Sequence, residues 1–233
     1  MKVQASLLFV RSVATALAGL LGIFALWVLA AEIISPRLNY FPSNRQQAET
    51  WAAAQGSAAT AASVGMVRGD LWTSAAVAQA APLLFKPAND RPPPDRRSEI
   101  ETARAVAERA ARLSPHDSRV WLVLAGLDTR LQSDAAKTAE MLKLSYYTAS
   151  NESSLAPLRL SLAVQSDVIS DTELQSLVEL EIQRIVDRRP DLKPAIAEAH
   201  KNAPPLGRSF IEAALRRSDP AFLAALASTP ARQ

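Results

Sequence analysis

The side chains able to do chemistry are few and scattered. The sequence contains no cysteine, which excludes disulfides, thiolate zinc sites and cysteine nucleophiles. Its two histidines, His116 and His200, lie in unrelated segments and cannot build a three-histidine metal site. His116-Asp117 falls in a turn between helical segments, and His200 near a helix C-terminus, where a cation suits the dipole. Glu99 and Glu101 are two positions apart and point to different faces of a helix, a poor acid–base pair; Glu101 reads better as part of a cap. Arg188-Arg189 and Arg216-Arg217 read as positive charge at helix ends rather than a site for an acidic lipid or polysaccharide. There is no glycine-rich phosphate loop, metal-ligand cluster or nucleophile motif. These residues predict a non-catalytic chain with no catalytic residue, no cofactor and no bound metal. The candidates for contact with a partner are Tyr146 and Tyr147, because adjacent residues on a helix cannot both face inward.

Composition points to helices as the elements that carry these residues. Apolar residues make up 48% of the chain but aromatics only 6%, and much of the apolar share is alanine, which suits close helix–helix packing better than a sheet. The net charge of +3 is small and interspersed, so no nucleic-acid partner is expected.

The longest apolar run is SVATALAGLLGIFALWVLAA, Ser12 to Ala31, with no charge between Arg11 and Glu32. About 20 helical residues span a hydrocarbon core of about 30 Å, and no polar stripe marks a face for water. Residues 12–31 are therefore expected to lie in membrane lipid as a transmembrane helix, preceded by a short N-terminus, residues 1–11. Lys2 and Arg11 favour a cytoplasmic N-terminus, which puts the C-terminal part outside. Val28-Leu29-Ala30 resembles a signal-peptidase site, but the run exceeds the usual 7–15-residue signal core, which favours an uncut anchor. Trp27, with Tyr40 and Phe41 beyond, reads as an interfacial anchor. The row Ala14, Ala18, Gly22 has the spacing of a helix-dimer seam, yet it reads as general alanine richness, and the oligomeric state stays open.

Beyond the span, Pro36 and Pro42 end the helix near Glu32. Residues 32–85 form an alanine-rich juxtamembrane region. A helix over 43–64 starts at a Ser43 cap and is weakened at Gly56; a glycine break follows, and a second helix runs from an Asp70 cap to about Phe85. Arg68-Gly69-Asp70 matches an integrin-binding tripeptide, but a glycine turn and a cap explain it. Trp51 and Trp72 should pack between these two helices. Residues 86–97, with three consecutive prolines, read as a stiff linker.

Residues 98–228 form the main helical domain, and 229–233 a tail. Ser98 with Glu101 makes a capping box for a helix ending near Leu113, with Ala103, Ala107, Ala110 and Ala111 as its apolar row. Ser114-Pro115-His116-Asp117 stops it. A second helix carries Trp121, Leu124, Leu127 and Leu131. After the turn Gln132-Ser133-Asp134, a third carries Ala139, Leu142 and Tyr146. Ala103, Ala107, Ala110 and Pro115, followed by Trp121-x-x-Leu124-Ala125, resemble the junction between two tetratricopeptide repeats. The resemblance covers residues 99–151, with Ala125 where the family has glycine, Asp128 where it has tyrosine and Ala107 where it has a large aromatic. It implies a scaffold that binds peptides or partner proteins on a concave face.

Further helices follow without a clear repeat. Ser170 and Glu173 form a capping box before a buried stripe of Leu174, Leu177, Leu180, Ile182 and Ile185; Pro190 and Pro194 open a shorter helix; Phe210, Ile211, Ala214 and Leu215 mark the next, and Ser218-Asp219-Pro220 opens the last. The expected fold class is all-α: a single transmembrane helix followed by a tetratricopeptide-like antiparallel array. The expected role is a non-catalytic scaffold of the bacterial inner membrane, holding a protein partner on the extracytoplasmic (periplasmic) side, in envelope polysaccharide export or secretion. The alternatives are a tethered chaperone-like holdase and, from another class, a cell-wall glycan enzyme.

Overall fold

The computed structural model of the chain describes residues 2–38, 40–85, 94–132, 134–165 and 167–228. Among these, every regular element is a helix. In chain order they are α1 (Lys2–Ile34), α2 (Arg45–Ala53), α3 (Gln55–Gly65), α4 (Gly69–Leu84), α5 (Pro94–Leu113), α6 (Ser118–Arg130), α7 (Ala135–Thr148), α8 (Ala156–Ala163), α9 (Thr172–Arg188), α10 (Lys193–Asn202), α11 (Pro205–Ser218) and α12 (Pro220–Ser228). Short 3₁₀ turns at Ser153–Leu155, Val168–Ser170 and Pro190–Leu192 precede α8, α9 and α10.

Helix α1 is long and apolar enough, over Arg11–Ile34, to cross a membrane. Its large side chains lie bare: Leu20, Ile23 and Leu26 are 66–72% exposed. A core helix would have buried them. Among the described residues, 11–26 are exposed, while burial begins at Trp27 in the last turns of α1, which packs on α3. Ala31 is buried there, the Trp27 indole Nε1–H donates to the Val64 carbonyl at 2.8 Å, and the Arg68 guanidinium meets Glu32 at 2.9 Å.

Between α1 and α5 the helices are built on alanine. The region expected to be one helix is two, broken at Ala54, two residues before Gly56. Asn44, not Ser43, caps α2: its side chain accepts from Gln47 N–H, while Ser43 donates from both N and Oγ to Gln47 Oε1. Asn44 is the residue with extended backbone, which the cap position requires. Asp70 is likewise not a cap; it lies inside the first turn of α4 and binds Arg68 at 2.6 Å. Trp51 is buried against the edge of Tyr40. Trp72 is half-buried and carries the Arg109 guanidinium 4.0 Å above its ring. Gly69 allows α4 to meet the end of α5, since a β-carbon there would stand 2.7 Å from the Leu113 carbonyl oxygen.

Helix α5 begins at Pro94, so residues 94–97 of the stretch read as a linker are helical, with proline where a helix start tolerates it. Residues 86–93 and the tail 229–233 lie outside the described residues. Ser98 falls inside α5 and Glu101 pairs with Arg97 at 3.0 Å, so the expected capping box is absent there. Ala103, Ala107 and Ala110 are fully buried, and α5 packs on α4 and α6. Asp128, set where the resembled family has tyrosine, is wholly buried beside the Arg104 guanidinium, with Nε 2.7 Å from its Oδ1.

Helices α6 to α11 continue the array, each packing on near neighbours in sequence, an arrangement compatible with a helical solenoid. Helix α9 packs on the C-terminal half of α7: Lys143 and Tyr147 meet Asp171 and Glu173 at the start of α9, Tyr146 meets Glu181 further along, and Arg184 reaches the Ser150 carbonyl just beyond α7. Asp171 caps α9 by accepting from Leu174 N–H at 2.8 Å, in place of the expected Ser170–Glu173 box. The buried stripe is Leu174, Val178, Glu181, Ile182 and Ile185. Leu180, expected in it, is 57% exposed, because at 100° per residue it falls outside the face that 174, 178, 181 and 185 share. Asp219 caps α12 as expected, accepting from Phe222 N–H.

Candidate partner-binding face

The two adjacent tyrosines at the end of α7 separate as a helix requires. Tyr146 is buried, and Tyr147 is 58% exposed. Each hydroxyl donates to a carboxylate of α9, Tyr146 to Glu181 and Tyr147 to Glu173. Lys143, one turn earlier, bridges Glu140 at 2.7 Å, Glu173 at 3.0 Å and Asp171 at 3.1 Å. These carboxylates hold the Lys143 ammonium well above its ordinary range, led by the hydrogen bond to Glu140. Tyr147 thus projects from an anchored position rather than swinging free.

Beneath Tyr146 lies a buried polar cluster. Arg159 of α8 is inaccessible to solvent; its Nε donates to Ser145 Oγ at 3.1 Å and its Nη1 to the Ala149 carbonyl at 3.1 Å, and its guanidinium lies 4.7 Å from the Tyr146 ring. Ser145 in turn donates to the Ser118 carbonyl at 2.9 Å, tying α6, α7 and α8 together. Burial pushes the Glu181 carboxyl up to about 7, against the pull of the Tyr146 hydroxyl, Arg159 and Arg184. Burial likewise pushes the Tyr146 hydroxyl well above its usual value. The cluster therefore contains an acid that changes charge near neutral pH.

Two recesses open beside it. A cleft of about 220 Å³ is walled by residues 150–153 on one side and by Glu181, Arg184, Arg188 and Arg189 on the other. Arg184 donates to the Ser150 carbonyl, and Arg189 to Ser153 Oγ and to Asp191. Arg188 is exposed and has no partner among the described residues. A broader, open recess of about 580 Å³ lies at the α5–α6 turn, lined by His116, Asp117, Arg119 and Glu152 among others. Glu152 borders both recesses, and Ser150, three residues after Tyr147, lines the smaller one.

The other residues singled out in the sequence do not gather here. His200 lies on α10, paired with Glu212 at 3.0 Å. Glu99 and Glu101 are exposed on α5, Arg216 is exposed at the end of α11, and Arg217 pairs with Glu179 at 2.7 Å. No group of three or more metal-ligating side chains is assembled among the described residues. Sequence reasoning missed Arg159 and Glu181. Each sits within an apolar stretch, Leu158-Arg159-Leu160 and Leu180-Glu181-Ile182, and a charge at a buried helical position is the signal that could have found them. No protein-family model matches the chain, and no curated protein or solved structure matches it.

Proposed function

We propose that this chain is a single-pass protein of a bacterial inner membrane that holds a protein partner, as a non-catalytic scaffold, on the extracytoplasmic side. In this reading residues 12–31 lie in lipid, Lys2 and Arg11 stay on the cytoplasmic side, and the helical domain lies outside. The observation that carries it is the state of α1: bare along its apolar length, yet gripped at its outer end by Val64 and Arg68. A domain locked to its anchor holds a partner at a set place on the membrane, which a loosely tethered one would not. The resemblance to tetratricopeptide repeats and the cleft between residues 150–153 and α9 support a concave binding face, with the exposed Tyr147 and the arginines of that cleft as its contacts. Aromatic and arginine side chains are the types that dominate binding energy at protein interfaces. Envelope polysaccharide export or secretion is the setting we assign.

A photo-crosslinking amino acid at Tyr147 or Arg188, in intact cells, tests this reading. One constant adduct, weakened when the other position is changed to alanine, is the expected result. A ladder of many adducts would favour the holdase, and the absence of any adduct at both positions would overturn the proposed face.

A further inference from the structure

The turn between α3 and α4 exposes its two largest apolar side chains. Met66 is 61% and Val67 71% exposed, and Met66 is held at φ 43°, ψ −69°. A left-handed backbone is costly for a residue with a side chain, on the order of 1–3 kcal/mol, and persists only where its surroundings impose it. Here they do. The Gly65 carbonyl accepts from Arg68 N–H at 2.9 Å, the Met66 carbonyl from the Trp72 indole at 2.9 Å, and the preceding Val64 carbonyl from the Trp27 indole at 2.8 Å. Successive carbonyls of an irregular turn are thus satisfied within the protein, as entry into a lipid environment demands. Its nearby cations are also engaged, with Arg68 between Glu32 and Asp70 and Arg109 over the Trp72 ring.

The position of the turn relative to α1 identifies what covers it. Val64 and Arg68, which flank Met66 and Val67, contact Trp27 and Glu32. Those two residues are five positions apart, about 8 Å along the helix, at the end of the apolar run. Trp27 and Trp72, both bound to this turn, are the amphipathic type enriched at the membrane–water boundary.

We propose that the α3–α4 turn is a second membrane contact, with Met66 and Val67 inserted into the acyl-chain boundary of the outer leaflet beside α1. This rests on the reading of α1 as a membrane span. Two points of attachment fix the tilt of the domain, so its binding face keeps one orientation to the bilayer.

The absence of native cysteine allows a direct test. Full-length protein carrying Val67→Cys, Leu20→Cys or Ser57→Cys is labelled with an environment-sensitive fluorophore. It is then reconstituted in phosphatidylethanolamine–phosphatidylglycerol vesicles containing doxyl-labelled lipid. Val67 and Ser57 are both exposed, so neither label disturbs the core. The expected result is blue-shifted, quenched emission at positions 67 and 20 and unquenched emission at 57. Quenching at 20 without quenching at 67 overturns the second contact and leaves the anchor standing. Loss of quenching at 20 overturns the anchor, and the second contact with it.

Discussion

Raising the pH from 4.5 to 7 should destabilise the helical domain, with Glu181 setting the size of the loss. Burial on the inner face of α9 raises its carboxyl from 4.5 to about 7, so the folded chain holds this proton more tightly than the unfolded chain does. The stabilisation is complete below pH 4.5, is lost progressively as the pH rises to 7, and changes no further above it. Across an interval of about 2.5 pH units, at 1.36 kcal/mol each, the loss is about 3 kcal/mol. For a domain of this size that corresponds to a fall in Tm on the order of 10 °C. The assay is thermal unfolding of the detergent-solubilised full-length protein, followed by circular dichroism from pH 4.5 to 8, for wild type and Glu181→Gln. Glutamine still accepts from the Tyr146 hydroxyl but does not titrate. Asp171, Glu173, Asp191 and Asp219 are held below their ordinary values by hydrogen bonds. Their stabilisation is present above about pH 4 and lost only in stronger acid, outside this window. Any other group titrating within it is common to both proteins and cancels in the difference. Parallel Tm–pH curves for the two proteins would refute the reasoning.

Three further outcomes follow from contacts elsewhere in the fold. Gly207→Ala places a methyl carbon 1.9 Å from the Val164 carbonyl oxygen; α11 must shift, at a cost of about 1–3 kcal/mol, read as a lower denaturant midpoint with unchanged slope. Asp128→Ala removes the buried carboxylate that Arg104 and Lys137 face, while Arg104 keeps its second partner, Glu108, at 3.3 Å. Breaking a buried pair costs about 3–5 kcal/mol where the remaining charge is left uncompensated; with Glu108 and solvent in reach of Arg104 the expected loss is about 1–2 kcal/mol, and no loss of stability would contradict the pairing. Trp27→Phe removes the indole donor to Val64, worth about 1 kcal/mol, so amide exchange across residues 64–68 should quicken about fivefold while α9 is unchanged.

The apolar patterns of the sequence carried most of the helical architecture. The run at 12–31, the alanine row of α5 and the Asp219-Pro220 start of α12 each depend on spacing within one element, which a sequence displays directly. The errors lie where the outcome turns on a neighbour. Asn44 rather than Ser43, and Asp171 rather than the Ser170–Glu173 pair, cap their helices because the cap goes to whichever polar residue takes extended backbone. Glu181 is buried where Tyr146, 35 positions earlier, supplies a hydroxyl that makes a buried carboxyl tolerable, whereas the exposure of Leu180 follows from the helical period alone. A separation of 37 positions likewise hid the attachment of Trp27 to Val64. At the candidate face, the split between Tyr146 and Tyr147 follows from helical geometry alone. The cleft depends on where the α7–α8 connection meets the end of α9, which no local pattern encodes.

The central claim is that α1 crosses a membrane and carries the helical domain on the far side. Ser57→Cys, exposed on α3, is the single probe that tests it most directly. Treatment of intact cells with a membrane-impermeant maleimide should label this cysteine, while the protein stays in the membrane pellet through alkaline carbonate extraction. Labelling only after lysis, or release of the protein into the carbonate supernatant, would contradict the account.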